Sequence, residues 1–243
     1  MLFTREGIKI VAMVCMLIDH VGLTGLAGEH WLVCRMLGRI AFPIFSYQLA
    51  SGYIYTSNKQ QYIKTIAIFA VISEIPYNLF FGGIINPFYQ SIMLTLLISI
   101  IGISIIDKWC NFNAHLLKST IIMLLVLMIF GTLGTLTFVD YGQMGVISTI
   151  LLYVGMQQPN KYIKSTIIFA IICWANLSIG GLQIIILNRE VALQSFAVLS
   201  LLFIIPYILQ GEQKILQGNK AKVFKYVSYW FYPVHLLILS MIT

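Results

Sequence analysis

Charge is what this sequence has least of. Only 9% of its 243 residues are Asp, Glu, Lys or Arg, against about 25% in an ordinary soluble domain. Just 8 are acidic, while 59% are hydrophobic, and apolar runs recur to the last residue. That excludes a soluble domain carrying an anchor and indicates an integral membrane protein. The four cysteines (Cys15, Cys34, Cys110, Cys173) show no CxxC or Cys/His spacing. They read as small packing residues, with neither metal nor disulfide implied. Small-x-small cleavage chemistry is missing after the apolar stretch that starts at Gly7, so no cleavable signal peptide is expected. The formal charge of +7 would suggest nucleic acid in a soluble protein. Here the lysines fall in short loops and read as topology signals, and no nucleic-acid partner is expected.

What is present is a series of apolar segments. Nine candidate spans cover 7–27, 31–55, 62–82, 88–106, 117–138, 141–157, 162–181, 191–210 and 224–243. Backbone groups in lipid must be satisfied within each segment, so the expected fold is all-α: a polytopic helical bundle forming one transmembrane domain over 1–243. Lys and Arg alternate from loop to loop. Arg5 and Lys9 precede the first span, and Lys59 and Lys64 follow the second. Lys108 and Lys118 follow the fourth, Lys161 and Lys164 the sixth, and Lys214, Lys220, Lys222 and Lys225 the eighth. The positive-inside rule then places the N-terminus in the cytoplasm and the C-terminus outside.

Against that background, Asp19, His20, Arg35 and Arg39 sit inside the first two spans. One charge in the bilayer core costs about 2.5–3.5 kcal/mol on insertion scales, so four together point to a functional site. His20 is the natural general base; the plainer reading is a histidine bonded at a helix interface. Asp19 is its neighbour in sequence, yet consecutive helical side chains diverge by about 100°. Asp19 is therefore expected to pair with Arg35 or Arg39, and Glu74 or Asp140 is the candidate carboxylate for His20. Arg35 and Arg39 share a helix face at i,i+4 and repel unless an anion lies between them. That anion is Asp19, Glu74, a phosphate or a developing oxyanion. The plainer reading is snorkelling to the interface.

Pro43, Pro76 and Pro233 fall beside Arg39, Glu74 and His235, and prolines that break membrane helices are tolerated where they line a cavity. The plainer reading is that proline is simply commoner in membrane helices. With the topology above, most buried polar residues, including Asn176, map to the outer half of the bilayer, opposite the Lys-rich loops. His235, Tyr232, Asp140 and Asn176 are secondary catalytic or binding candidates. The segments from Tyr62 and Tyr162 (YIKTIAIFAVI, YIKSTIIFAII) match at several positions. Chance likeness of Ile-rich helices accounts for them more simply than duplication, because Glu74 has only Trp174 opposite it.

Four blocks of this sequence, FTREGIKIVAMVCMLIDHVG, RMLGRIAFPIFSYQLASGY, YIKTIAIFAVISEIPYNL and SYWFYPVHLLIL, together with the DYGQMGV turn, resemble the TraX family. That family is associated with acetylation of the pilin N-terminus. More distantly the chain resembles membrane acyltransferases of O-antigen and peptidoglycan, and heparan-alpha-glucosaminide N-acetyltransferase. The resemblance implies an acyltransferase using acetyl-CoA from the cytoplasm, with His20 as base or acyl carrier and Arg35 and Arg39 as the basic residues near it. It also raises His235 as a participant. The acceptor would be an amine or hydroxyl of an exported protein or envelope glycan. Lys59, Lys64, Lys161 and Lys164, with Lys108 and Lys118, would line a basic inner mouth that draws in the nucleotide. A proton-coupled secondary transporter using the same buried cluster, or a non-catalytic membrane subunit, are the competing readings.

Overall fold

Thr4 starts the first helix by accepting a hydrogen bond from the Gly7 amide at 3.2 Å, satisfying one of the unpaired donors every helix start carries. In this computed structural model, which describes residues 2–157, 182–186 and 189–242, α1 runs over Arg5–Leu23, α2 over Trp31–Gly38 and α3 over Ala41–Tyr55. Asn58 caps α4 (Lys59–Phe80) through the Gln61 amide at 2.9 Å. Then come α5 (Ile92–Trp109), α6 (Leu116–Leu136) and α7 (Gly142–Met156). An antiparallel strand pair, β1 (Gln183–Ile186) and β2 (Arg189–Ala192), sets Gln183 opposite Ala192. A 3-10 stretch, Leu193–Ser200, leads into α8 (Leu201–Leu209), and α9 (Gly218–Ile242) ends the described chain.

Among the described residues the chain is helical apart from the paired strands β1 and β2, the second of which takes up the start of the expected span 191–210. Only nine residues of that span form an α-helix (α8). The expected span 31–55 is two helices, broken at Arg39 and Ile40. The cause is Pro43: it has no N–H to return to the carbonyl four residues earlier, which is that of Arg39. The expected span 162–181 lies outside the described residues. Among the described residues three helices, α4, α5 and α6, are long and apolar enough to cross a membrane. The outer face of α6 shows why lipid is the solvent: Leu117, Leu124, Met128 and Leu136 are all exposed. Such an apolar surface is stable only against hydrocarbon or another apolar face.

The α6–α7 corner is tight. Phe138 and Tyr141 adopt φ of 52° and 64°, and Gly142 follows at 49°. Non-glycine residues in that region cost on the order of 1 kcal/mol or more each. The corner is held by the Gln90 backbone, which donates to the Phe138 carbonyl and accepts from the Asp140 amide at 3.1 and 3.0 Å, and by Thr95 Oγ1 donating to the Asp140 carbonyl at 2.6 Å.

Helices α1 and α9 run parallel. At one end the Arg5 amide donates to the Gln213 carbonyl at 2.9 Å and the Ile215 amide donates to Glu6 at 3.0 Å. At the other end His20 meets His235. The bundle therefore has two chemically different ends. Arg5, Lys59, Asp107 and Lys214 belong to one, and Asp19, Arg35, Glu74 and Asp140 to the other.

Candidate functional site

Along α1, Asp19 and His20 face different helices, as their 100° offset requires. Asp19 turns to α2. Its Oδ2 accepts from Arg35 Nη1 at 2.7 Å and from Arg39 Nη2 at 2.5 Å. One carboxylate thus serves two guanidiniums and leaves the triad with a surplus positive charge. Arg39 also donates through Nε to the Arg35 carbonyl and through Nη1 to Gln194, both at 3.3 Å. Its guanidinium lies 5.6 Å from the Tyr141 ring centroid, and Tyr141 is stacked on Phe42 at 4.1 Å. The strained corner therefore supplies the face on which Arg39 rests. Asp19 and Arg39 are both buried.

Gly38 makes this approach possible. A Cβ built there would fall on the Asp19 carboxyl group. Gly38→Ala is expected to push Asp19 off the guanidiniums and to lower the unfolding temperature, by roughly 1–3 kcal/mol of overpacking strain. A Gly38→Ala protein that melts with wild type in detergent would contradict that packing.

His20 turns the other way, to α9. Its Nδ1 is 2.7 Å from His235 Nε2, and His235 Nδ1 is 2.7 Å from the Phe231 carbonyl oxygen. The two rings are 4.9 Å apart, with Phe231 stacked on His235 and the edge of Phe80 against His20. Both histidines are buried. The expected carboxylate partner of His20 is thus replaced by a second imidazole. Glu74 instead caps α5: Ser91 donates to it through its hydroxyl at 2.5 Å and its amide at 3.2 Å. A carboxylate at a helix N-terminus is stabilised there by the unpaired amides. Asp140 accepts from the Tyr141 amide at 3.1 Å and its side chain is exposed. Tyr232 is buried beside the histidine pair, its ring 5.7 Å from that of His235. Asn176, Lys161 and Lys164 lie outside the described residues.

A cavity of about 590 Å3 runs from the end opposite Asp19 into the bundle between α1, α3, α4, α5 and α9. Its mouth carries Arg5, Lys9, Lys214, Lys222 and Lys225. Its apolar wall includes Ile66, Met93 and Leu96, and it reaches Met16 and Tyr232, four and three residues before His20 and His235. From Arg5 to Met16 is eleven residues, about 17 Å of helix at 1.5 Å each. This corrects the expected basic mouth. Lys59 is not on the cavity and its Nζ pairs with Asp107 at 2.6 Å. Lys64 points to the exterior. Apart from Lys9 on α1, the lysines beside the cavity come from the α8–α9 loop and α9, whose place next to α1 no linear spacing reveals.

Gln194 and Tyr141 do not stand out in the sequence as site residues. Gln194 carries no signal, since a glutamine at the start of a short 3-10 stretch looks like loop. Tyr141 has one: it precedes Gly142 in a turn placed next to Asp140.

One relative, the probable fimbrial assembly protein FimC, serogroup H1, of Dichelobacter nodosus, is 23% identical over 249 residues, covering 98% of this chain and 94% of that protein. No solved structure matches the chain. The TraX protein family matches from residue 4 to residue 243, taking in both arginines, both histidines and the whole of the cavity mouth: the chain is a membrane protein that belongs to the TraX family.

Proposed function

We propose that this chain is a multi-pass enzyme of the bacterial cytoplasmic membrane, with nine spans and a cytoplasmic N-terminus. It moves an acetyl group from cytoplasmic acetyl-CoA to an amine or hydroxyl on an exported molecule. The observation that carries this reading is the cavity with a basic mouth that leads to the edge of a buried histidine pair. Acetyl-CoA fits it by chemistry. Its phosphates suit the five cations at the mouth, its pantetheine arm suits the apolar wall, and its thioester would arrive next to Tyr232 and His20. The family's association with pilin acetylation, and the fimbrial-assembly name of the Dichelobacter relative, favour the N-terminal amine of an exported fimbrial subunit over an envelope glycan as acceptor.

His20 takes the acceptor's N–H or O–H proton as the nitrogen or oxygen attacks the thioester carbonyl. The oxyanion that forms is stabilised by the positive surplus on Arg35 and Arg39. The C–S bond then breaks, and the CoA thiolate takes the proton from His20 and leaves as the thiol, which returns His20 to its neutral form. In the two-step variant the acetyl group passes first to His20 and then to the acceptor.

The test is acetyl transfer from labelled acetyl-CoA by the protein in nanodiscs. Lys222→Glu combined with Lys225→Glu is expected to raise KM for acetyl-CoA by roughly tenfold or more with little change in kcat, since each reversed charge weakens phosphate binding. Lys64→Glu, the same reversal off the cavity, is expected to leave KM unchanged. Counterflow of a solute together with indifference to acetyl-CoA would overturn the enzyme reading in favour of a transporter.

A further inference from the structure

We infer that His235 is a positioning residue that sets the tautomer of His20, so that the atom His20 presents for chemistry is Nε2. A proton count along three groups leads there. The Phe231 carbonyl can only accept, so the proton in its 2.7 Å contact with His235 sits on Nδ1 of His235. A neutral imidazole carries one N–H, so Nε2 of His235 is a lone pair. The 2.7 Å contact between that lone pair and His20 Nδ1 then needs its proton on His20. A neutral His20 protonated at Nδ1 has a bare lone pair at Nε2. Among the described residues no hydrogen bond reaches that nitrogen.

The arrangement does what an orienting carboxylate does for a catalytic histidine, with one difference. A carboxylate would bring a negative charge into the bilayer interior, where every charge is costly. A second imidazole with its outer N–H on a helix carbonyl orients His20 with no net charge. The neighbouring carboxylates are committed elsewhere: Asp19 to Arg35 and Arg39, and Glu74 to Ser91. His235 itself is fixed by stacking on Phe231 at 4.9 Å and by the edge of Tyr232. Its position on α9 next to α1 depends on both helices, so the pair also records that the two are correctly docked.

The inference rests on the acyltransferase reading for its consequence, but the tautomer can be read without any turnover. The chain has four histidines. Nitrogen NMR of protein labelled with 15N-histidine, with His20→Gln as the difference spectrum, assigns His20. Wild type is expected to show His20 protonated at Nδ1 and bare at Nε2. His235→Leu removes the acceptor, and His20 is expected to move to the Nε2-protonated form. Acetyl transfer should then fall roughly 10²-fold or more in kcat at an unchanged KM for acetyl-CoA, as expected when a base is held in the wrong tautomer. His235→Gln keeps an acceptor for His20 and a donor for Phe231, and should restore the wild-type nitrogen pattern and most of the rate. Should the leucine variant fail to fold, the wild-type and glutamine spectra still decide the matter. A wild-type His20 protonated at Nε2, or a folded leucine variant with tautomer and rate unchanged, would overturn the inference. The expected nitrogen pattern in a protein that does not use acetyl-CoA would leave the histidine pairing standing and remove the acyltransferase reading instead.

Discussion

Replacing His20 with alanine is expected to lower acetyl transfer by roughly 10²–10⁴-fold, the contribution of a positioned general base, and to leave the protein folded. The loss should fall on kcat. The cavity wall and its cationic mouth come from other residues, so KM for acetyl-CoA should hold. His20 is buried against Phe80 and His235, and the truncation leaves a gap and an unmatched lone pair on His235. A folding control is therefore needed: the size-exclusion profile and melting temperature in detergent, compared with wild type. His20→Gln is the gentler variant, since its amide can still donate to His235 but cannot accept a proton in catalysis. If either variant folds and transfers acetyl at the wild-type rate, His20 is not the base and the pair is structural.

The second large effect is on the fold. Asp19→Leu removes the carboxylate that Arg35 and Arg39 share and leaves two like charges one helical turn apart. Breaking a buried ion pair by deleting one partner costs about 3–5 kcal/mol, whereas replacing the whole set with apolar residues of similar size is often neutral. The single variant is therefore expected to give little folded protein. The triple variant Asp19→Leu, Arg35→Met, Arg39→Met is expected to recover much of the yield while remaining inactive. Fluorescence-detected size exclusion of tagged protein, followed by the transfer assay, separates the two effects. An Asp19→Leu protein as stable as wild type would mean that the guanidiniums find another anion. Recovered activity in the triple variant would remove them from the chemistry.

The pairing of Asp19 with the arginines was legible because it needs only helical geometry. Residues i and i+4 share a face and residues i and i+1 do not, and that rule alone separates Asp19 from His20. The break before Pro43 was partly legible. Proline marked the place, yet the run 31–55 still reads as one apolar segment by hydropathy. The strand pair β1 and β2 was not legible, because Ile-rich strands and Ile-rich spans look alike without their neighbours. Glu74 was misplaced for a related reason. A carboxylate within an apolar run attracts attention as chemistry, but Glu74 is only partly buried and its partner, Ser91 at the start of α5, lies 17 residues away at a helix end that hydropathy does not locate.

The basic mouth and the histidine pair mark the boundary most clearly. The scarcity of charge alone determined that this is a membrane protein, and that any ionisable residue within an apolar span, His20 above all, is costly and needs a reason. Those are statements about transfer from water to lipid, and composition suffices for them. Which lysines stand beside the cavity, and that His20 is matched by an imidazole and not by a carboxylate, depended on α9 lying alongside α1. The histidine contact joins residues 215 positions apart, through the packing of helices whose apolar surfaces are nearly interchangeable. Only the tertiary structure selects among those packings, and with them the partner of His20.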